Sequence, residues 1–195
     1  MYPSGKFVLR LDPKLHVSLR TASKKLGLSL NGFCERQLKL ALGLAQHSEQ
    51  ATQFGIPFGK LQSALQDAGL DVRGCIVFGS MARGEALPSS DIDLLFVLPP
   101  GTSPEREHYR RWDRNVASLL KETTFREVSP QFVEMTSSVQ EAGGLWYQIA
   151  LEGIILWDDD RAISRTLLRI RESIARGELI RYISHGHPYW IRKRQ

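Results

Sequence analysis

Two short segments constrain this chain of 195 residues more than any other part of it. Gly74-Cys75-Ile76-Val77-Phe78 is an apolar run of strand length, and it passes directly into Gly79-Ser80. A glycine there lets the backbone turn sharply, leaving N–H groups and a hydroxyl free to face an incoming phosphate. Further on, Ser90-Asp91-Ile92-Asp93 opens a second apolar run, Leu94-Leu95-Phe96-Val97. Residues two apart in a strand share a face, which sets Asp91 and Asp93 about 7 Å apart along the chain. Two such charges repel unless a cation joins them, and divalent-metal phosphate chemistry needs oxygen ligands in that arrangement.

Gly79-Ser80, Arg83-Gly84 and Ser90-Asp91-Ile92-Asp93-Leu94 together resemble the signature of the nucleotidyltransferase superfamily that includes DNA polymerase β, above all its minimal bacterial members. The resemblance spans roughly residues 58–160. It implies that Gly79 and Ser80 hold a triphosphate, with Arg83 either offsetting phosphate charge or serving structure. It also implies that Asp91 and Asp93 bind a pair of Mg²⁺ (or Mn²⁺) ions, and that a third carboxylate stands on a following strand. Glu134, inside Gln131-Phe132-Val133-Glu134-Met135, is the expected third catalytic and metal-binding acid because it sits in the better strand pattern; Glu127 is the competitor. The implied reaction moves a nucleoside monophosphate from an NTP, with ATP the expected substrate, to a macromolecular acceptor.

The first residues have a different pattern. Lys6-Phe7-Val8-Leu9-Arg10-Leu11 alternates like one short strand. Asp12-Pro13 then starts a helix, with Leu15, Leu19, Ala22 and Leu26 at helical spacing. Ser29-Leu30-Asn31 opens a second helix bearing Phe33, Cys34, Leu38, Ala41 and Leu42 on one stripe. One strand and two helices in some 40 residues leave an unpaired edge and too little core, so a second copy is required. This segment resembles the ribbon-helix-helix repressors over roughly residues 5–45. The resemblance implies a homodimer, or a higher even oligomer, that binds operator DNA through the outward Lys6, Val8 and Arg10 and through backbone N–H groups near Ser29, Asn31 and Gly32. Val8 stands where a polar base-reading side chain is more usual, which leaves thymine-methyl contact or dimerisation alone as its roles.

The expected organisation is therefore α+β. It comprises a β-α-α module over 1–45, a linker over 46–57, a small mixed-sheet nucleotidyltransferase domain flanked by helices over 58–160, and a basic helix and arm over 161–195. Within the domain, Phe58, Leu61, Leu65 and Ala68 mark a helix, and Tyr109, Trp112, Val116 and Leu120 mark another. Leu145, Ile149 and Ala150 mark a third, before the strand Gly153-Ile154-Ile155-Leu156-Trp157. In the last segment a helix with Ile163, Leu167, Ile170 and Ile174 inward ends at Gly177, and Leu179–Ser184 and Tyr189–Arg192 flank a turn. Lys/Arg outnumber Asp/Glu eight to three over residues 1–50 and nine to two over 161–195, whereas 51–160 carry nine against sixteen. Basic ends suit a polyanion and an acidic middle suits cations.

No apolar run approaches the ~20 residues of a membrane span. Cys34 and Cys75 lie inside apolar patterns, and the first residues lack a signal-peptide stretch, so a cytoplasmic location is expected. A repressor module joined to a modifying enzyme suggests a toxin–antitoxin role, the acceptor being a partner toxin protein or a tRNA 3′ end. The competing expectation is a DNA-binding regulator whose nucleotidyltransferase domain only senses NTP or contacts a partner; retention of all the carboxylates argues against it.

Overall fold

Asp12 caps the first helix: its Oδ1 accepts from the N–H groups of Lys14 (2.8 Å) and Leu15 (3.3 Å) and so serves two otherwise orphaned donors. The computed structural model describes residues 8–25, 29–41, 54–185 and 187–193. They fall into two compact units, 1–45 and 46–195.

In the first unit α1 (Pro13–Lys25) and α2 (Leu30–Ala41) pack on each other. Ser29 caps α2, its hydroxyl accepting from Gly32 N–H at 3.1 Å. Phe33 is buried, whereas Leu15 and Leu38, both on the expected inward stripes, are exposed. That is what two short helices with too little core of their own must do. Lys6 and Phe7 of the expected strand, Leu26, Leu42 and the side chains of Ala22 and Ala41 lie outside the described residues. Val8–Leu11 make no strand within the chain, and Val8 is 91% exposed. A strand exists only when paired, and a lone β-α-α segment has nothing to pair with.

The second unit is built on a four-stranded mixed sheet of order β3-β2-β1-β4. Its strands are β1 (Gly74–Phe78), β2 (Ile92–Leu98), β3 (Val128–Glu134) and β4 (Ile154–Asp158). β1 runs antiparallel to both β2 and β4, while β2 and β3 are parallel. The period-2 pattern divides β2 between two cores. Ile92, Leu94, Phe96 and Leu98 point to the face covered by α3 (Phe58–Asp67), α5 (Arg106–Asn115) and α6 (Ala117–Thr124). Leu95 and Val97 point to the face covered by α7 (Gly144–Glu152) and α8 (Ala162–Ala175). The five-residue helix α4 (Gly79–Arg83) joins β1 to the loop before β2.

The single helix expected through Tyr109 and Leu120 is two helices, broken at Val116 (φ −120°, ψ −40°). Trp112, Val116 and Leu120 are all buried on one side, so the apolar spacing runs across the break and conceals it. Beyond α8, β5 (Leu179–Ser184) and β6 (His187–Arg192) form a hairpin. The hairpin is anchored by buried Leu179, by Trp190 edge-on to Tyr147, and by Arg192 donating to the Val139 and Gln140 carbonyls.

Candidate active site

The site lies at the edge where β1 ends and β2 begins. The antiparallel register pairs Phe78 with Asp93, so the chain that turns after Phe78 delivers Gly79 beside the Asp93 side chain. Gly79 has φ +68°, and a Cβ built there would stand 2.2 Å from Asp93 Oδ2. Only glycine meets both conditions, the left-handed backbone and the close carboxylate. Ser80 follows as a half-buried residue of α4.

Asp93 alternates with Ile92 and Leu94, both fully buried, and so emerges on the α7 side of the sheet, half-buried. Asp91 precedes β2 and is exposed. Burial raises the Asp93 carboxyl above its ordinary value; the Asp91 charge adds to the rise, Arg83 opposes it and Glu152 adds again. Among the described residues neither aspartate is in an ion pair, although each has the other's charge close by. This repulsion, which Arg83 opposes, fits a divalent cation. So does the chemistry of the donors, since Mg²⁺ is commonly held by one or two carboxylates, with water and substrate phosphates completing its shell. No three Asp, Glu, His or Cys among the described residues stand close enough to hold a metal by themselves. Burial pushes the Cys75 thiol up, which leaves it an inert core residue.

Glu134, expected as the third acid, is placed elsewhere. β3 pairs with β2 in parallel register, Asp93 against Ser129 and Leu98 against Glu134. Glu134 therefore lies five residues from Asp93 along the sheet, roughly 17 Å. It also follows Phe132, which stacks on Phe96, at even spacing and so belongs to the opposite face. Its Oε1 accepts from Gly101 N–H at 2.6 Å. The strand pattern was read correctly, but an apolar pattern contains neither the register nor the face. Glu127 is nearer, its carbonyl accepting from Ile92 N–H, yet its side chain is exposed and pairs with Lys121. Ser129 is the β3 residue beside Asp93.

The acid that does reach this corner is Glu152, at the end of α7, with a side chain 9% exposed. Its Oε1 accepts from Gly79 N–H (3.3 Å) and its carboxylate from Arg83 Nη1 (3.1 and 3.2 Å), while Gln148 Nε2 donates to Oε2 (2.8 Å). Arg83 also donates through Nε to Glu85 (2.7 Å). Of the two roles expected of Arg83, phosphate or structure, these bonds serve the structural one, bracing α4 against α7. Sequence reasoning passed over Glu152; the available signal was an acid in the last turn of a helix, where the backbone dipole disfavours it.

Of the residues expected on DNA, Val8, Arg10, Ser29 and Asn31 are exposed, and Lys6 lies outside the described residues. Ser29 spends its hydroxyl oxygen on capping α2.

Residues 59–131 match the family described as "Nucleotidyltransferase domain", and residues 2–38 match the HicB family, which is of ribbon-helix-helix type. No curated protein matches the chain. Among solved structures, a toxin-antitoxin with AMP-PNP overlaps with 19% identity and a TM-score of 0.41, covering 63% of this chain and 93% of that one. The toxin-antitoxin MntA-HepT overlaps with 18% identity and a TM-score of 0.36, covering 62% and 88%. The first family match contains Gly79, Ser80, Arg83, Asp91 and Asp93 and ends before Glu134 and Glu152. Residues 59–131 are thus similar to the nucleotidyltransferase domain and residues 2–38 to the HicB family.

Proposed function

We propose that the protein is a divalent-cation-dependent nucleotidyltransferase of a toxin–antitoxin system, moving a nucleoside monophosphate from an NTP, with ATP the favoured donor, to a partner toxin protein or a tRNA 3′ end. The observation that carries this reading is the Asp93 carboxylate set against Gly79, where no side chain would fit, with the Asp91 charge near enough to raise it. The toxin–antitoxin setting and the acceptor are read from the pairing of the two parts of the chain. In the reaction the acceptor oxygen attacks the α-phosphorus, the bond to the bridging oxygen breaks and pyrophosphate leaves.

Divalent cations bound by Asp91 and Asp93 would neutralise triphosphate oxygens and lower the pKa of the attacking hydroxyl. The remaining work belongs to the chain. The Ser80 hydroxyl and the backbone of the turn receive the outer phosphates, and the buried neighbours of Asp93 fix its position on the sheet. Arg83 and Glu152 keep α4 aligned with α7. The N-terminal segment dimerises the protein and binds operator DNA through Lys6, Val8 and Arg10, with α2 presenting Ser29 and Asn31 to the backbone.

The second reading, a DNA-binding regulator whose nucleotidyltransferase domain senses NTP without turnover, gains support from one observation. β3 brings no acid to Asp93, so the carboxylates are not all retained at the site. Incubation with labelled NTPs, Mg²⁺ and cell extract separates the two. Labelled protein or RNA with the native chain and none with Asp91→Asn/Asp93→Asn is expected; equal labelling by both overturns the enzyme reading and leaves the regulator.

A further inference from the structure

The hairpin of β5 and β6 has two unlike faces. Leu179 and Trp190 belong to the one docked on the body, Leu179 buried and Trp190 edge-on to Tyr147. The period of two then sets Ile180 and Tyr182 of β5, with their partners Ile191 and Tyr189 of β6, on the opposite face. There Tyr182 and Tyr189 stack across the strands, ring centroids 5.6 Å apart and planes 23° apart, and are 43% and 44% exposed. From Leu179 to Lys193 the chain carries no Asp or Glu. Among the described residues, Arg181 and Lys193 are exposed and in no ion pair, and Arg192 donates to the neutral Val139 and Gln140 carbonyls and the Tyr147 hydroxyl. Glu178, the acid next to the hairpin, is taken by Arg176.

Exposed rings flanked by cations that no acid neutralises suit an anion bearing flat apolar groups. A second copy does not qualify, because pairing this face with itself sets each copy's cations against the other's. Duplex nucleic acid supplies the charge, but its base faces are stacked inside the helix and do not meet the rings. Single-stranded RNA supplies both phosphates and unstacked bases that lie on aromatic side chains. We propose that the outer face of this hairpin binds single-stranded RNA, with bases on Tyr182 and Tyr189 and phosphates on Arg181 and Lys193. Trp190 seats the hairpin against Gly144 and Tyr147 at the start of α7, while Glu152 at its other end receives the Gly79 N–H. α7 has nine residues, so its two ends stand roughly 12 Å apart, and a strand held on the hairpin is a short reach from the turn. The inference rests on the proposed transferase in one respect: it selects the RNA 3′ end over a partner protein as the acceptor.

The test needs no turnover. Fluorescence anisotropy follows binding of a labelled single-stranded RNA, and of the same RNA annealed to its complement, to the full chain without NTP or divalent cation. All chains carry Lys6→Ala/Arg10→Ala, which weakens the N-terminal segment's own hold on nucleic acid, and the melting temperature of each is recorded. Tyr182→Leu/Tyr189→Leu keeps the face apolar and removes the rings; it is expected to weaken the single strand at least about tenfold, whereas Tyr182→Phe/Tyr189→Phe keeps the parent affinity. Arg181→Gln/Lys193→Gln is expected to flatten the dependence of log affinity on log salt by about 1.4, the share of two phosphates on a single strand. Parent affinity in the folded leucine pair overturns the proposal, as does a duplex bound as tightly as the single strand, or a salt slope that the glutamine pair leaves unmoved. Should the leucine pair fail to fold, the glutamine pair decides. A parent chain that binds no single strand, the outcome if this face takes an acidic protein, overturns it too. That failure leaves the transferase standing, since labelling of a protein in extract, lost in Asp91→Asn/Asp93→Asn, is read separately; RNA binding without any labelling refutes the transferase and spares the hairpin.

Discussion

Replacing Gly79 by alanine tests whether the turn and Asp93 form one unit. Two costs follow from the structure. With φ at +68°, an L-residue pays about 1 kcal/mol or more for the left-handed backbone. The new Cβ would stand 2.2 Å from Asp93 Oδ2 and 3.1 Å from its Cγ, so one of the groups must move by about 1 Å to reach ordinary van der Waals separation. The backbone of Asp93 is held between Ile92 and Leu94, both fully buried. The carboxylate must therefore rotate, at about 0.5–1.5 kcal/mol if it leaves its rotamer well. The total is about 2 kcal/mol, or a melting temperature lower by roughly 4–8 °C for a unit of this size. A 1 Å displacement of Asp93 costs on the order of 100-fold in transfer rate. Gly177→Ala is the control: φ is +69° with nothing within 4 Å of its Cβ, so it isolates the backbone cost of about 1 kcal/mol and spares transfer. Urea denaturation and labelled-NTP transfer read both variants. If Gly79→Ala matched Gly177→Ala in both, the contact between Gly79 and Asp93 would be of no consequence and the site would need redrawing.

Because the Asp93 carboxyl is raised in the folded state, the folded chain holds that proton more tightly than the unfolded one, so the charge destabilises above the folded-state pKa and ceases to do so as pH falls through it. Asp93→Asn in EDTA is accordingly expected to melt higher than the native chain at pH 7.5 and to lose the advantage in acid, while transfer is abolished; a lower melting temperature at pH 7.5 contradicts the electrostatics. Asp158, buried at the end of β4, accepts from Ile163 N–H (3.1 Å), Ser164 N–H (2.7 Å) and the Ser164 hydroxyl (2.7 Å), so Asp158→Ala is expected to cost about 2 kcal/mol by urea denaturation. Lys6→Ala with Arg10→Ala should weaken salt-sensitive operator binding in a mobility-shift titration, and unchanged binding would reassign this segment to dimerisation alone.

How much was legible before the fold was known depends on the range of the interaction. The turn at Gly79 and the strand position of Asp93 could be read because each signal is local: a turn residue after a strand, and an acid at the start of an apolar run; Asp91, expected in the same strand, lies just before it. Asp12-Pro13 and Ser29-Leu30-Asn31 announced the starts of the first two helices for the same reason. Helix and strand periodicity located β1, β2, α3, α7 and α8. It failed at Val116, where an unbroken apolar spacing masks a break in the backbone. Asp158 was also missed, since it reaches across a tight turn to cap a helix that begins four residues on.

The third acid marks the boundary between the two kinds of information. By itself the sequence determined that residues of strand pattern follow Phe125, and that Glu134 lies among them. Only the tertiary structure decided which of those residues faces Asp93, because strand register is set by how β2 and β3 bury Phe96 and Phe132 together, a pairing of side chains distant in the chain. That register moved Glu134 to the far end and brought Ser129 to the site. The packing of α7 then carried Glu152 in from outside the motif, since a side chain's neighbours across a sheet follow from burial, which no local spacing encodes.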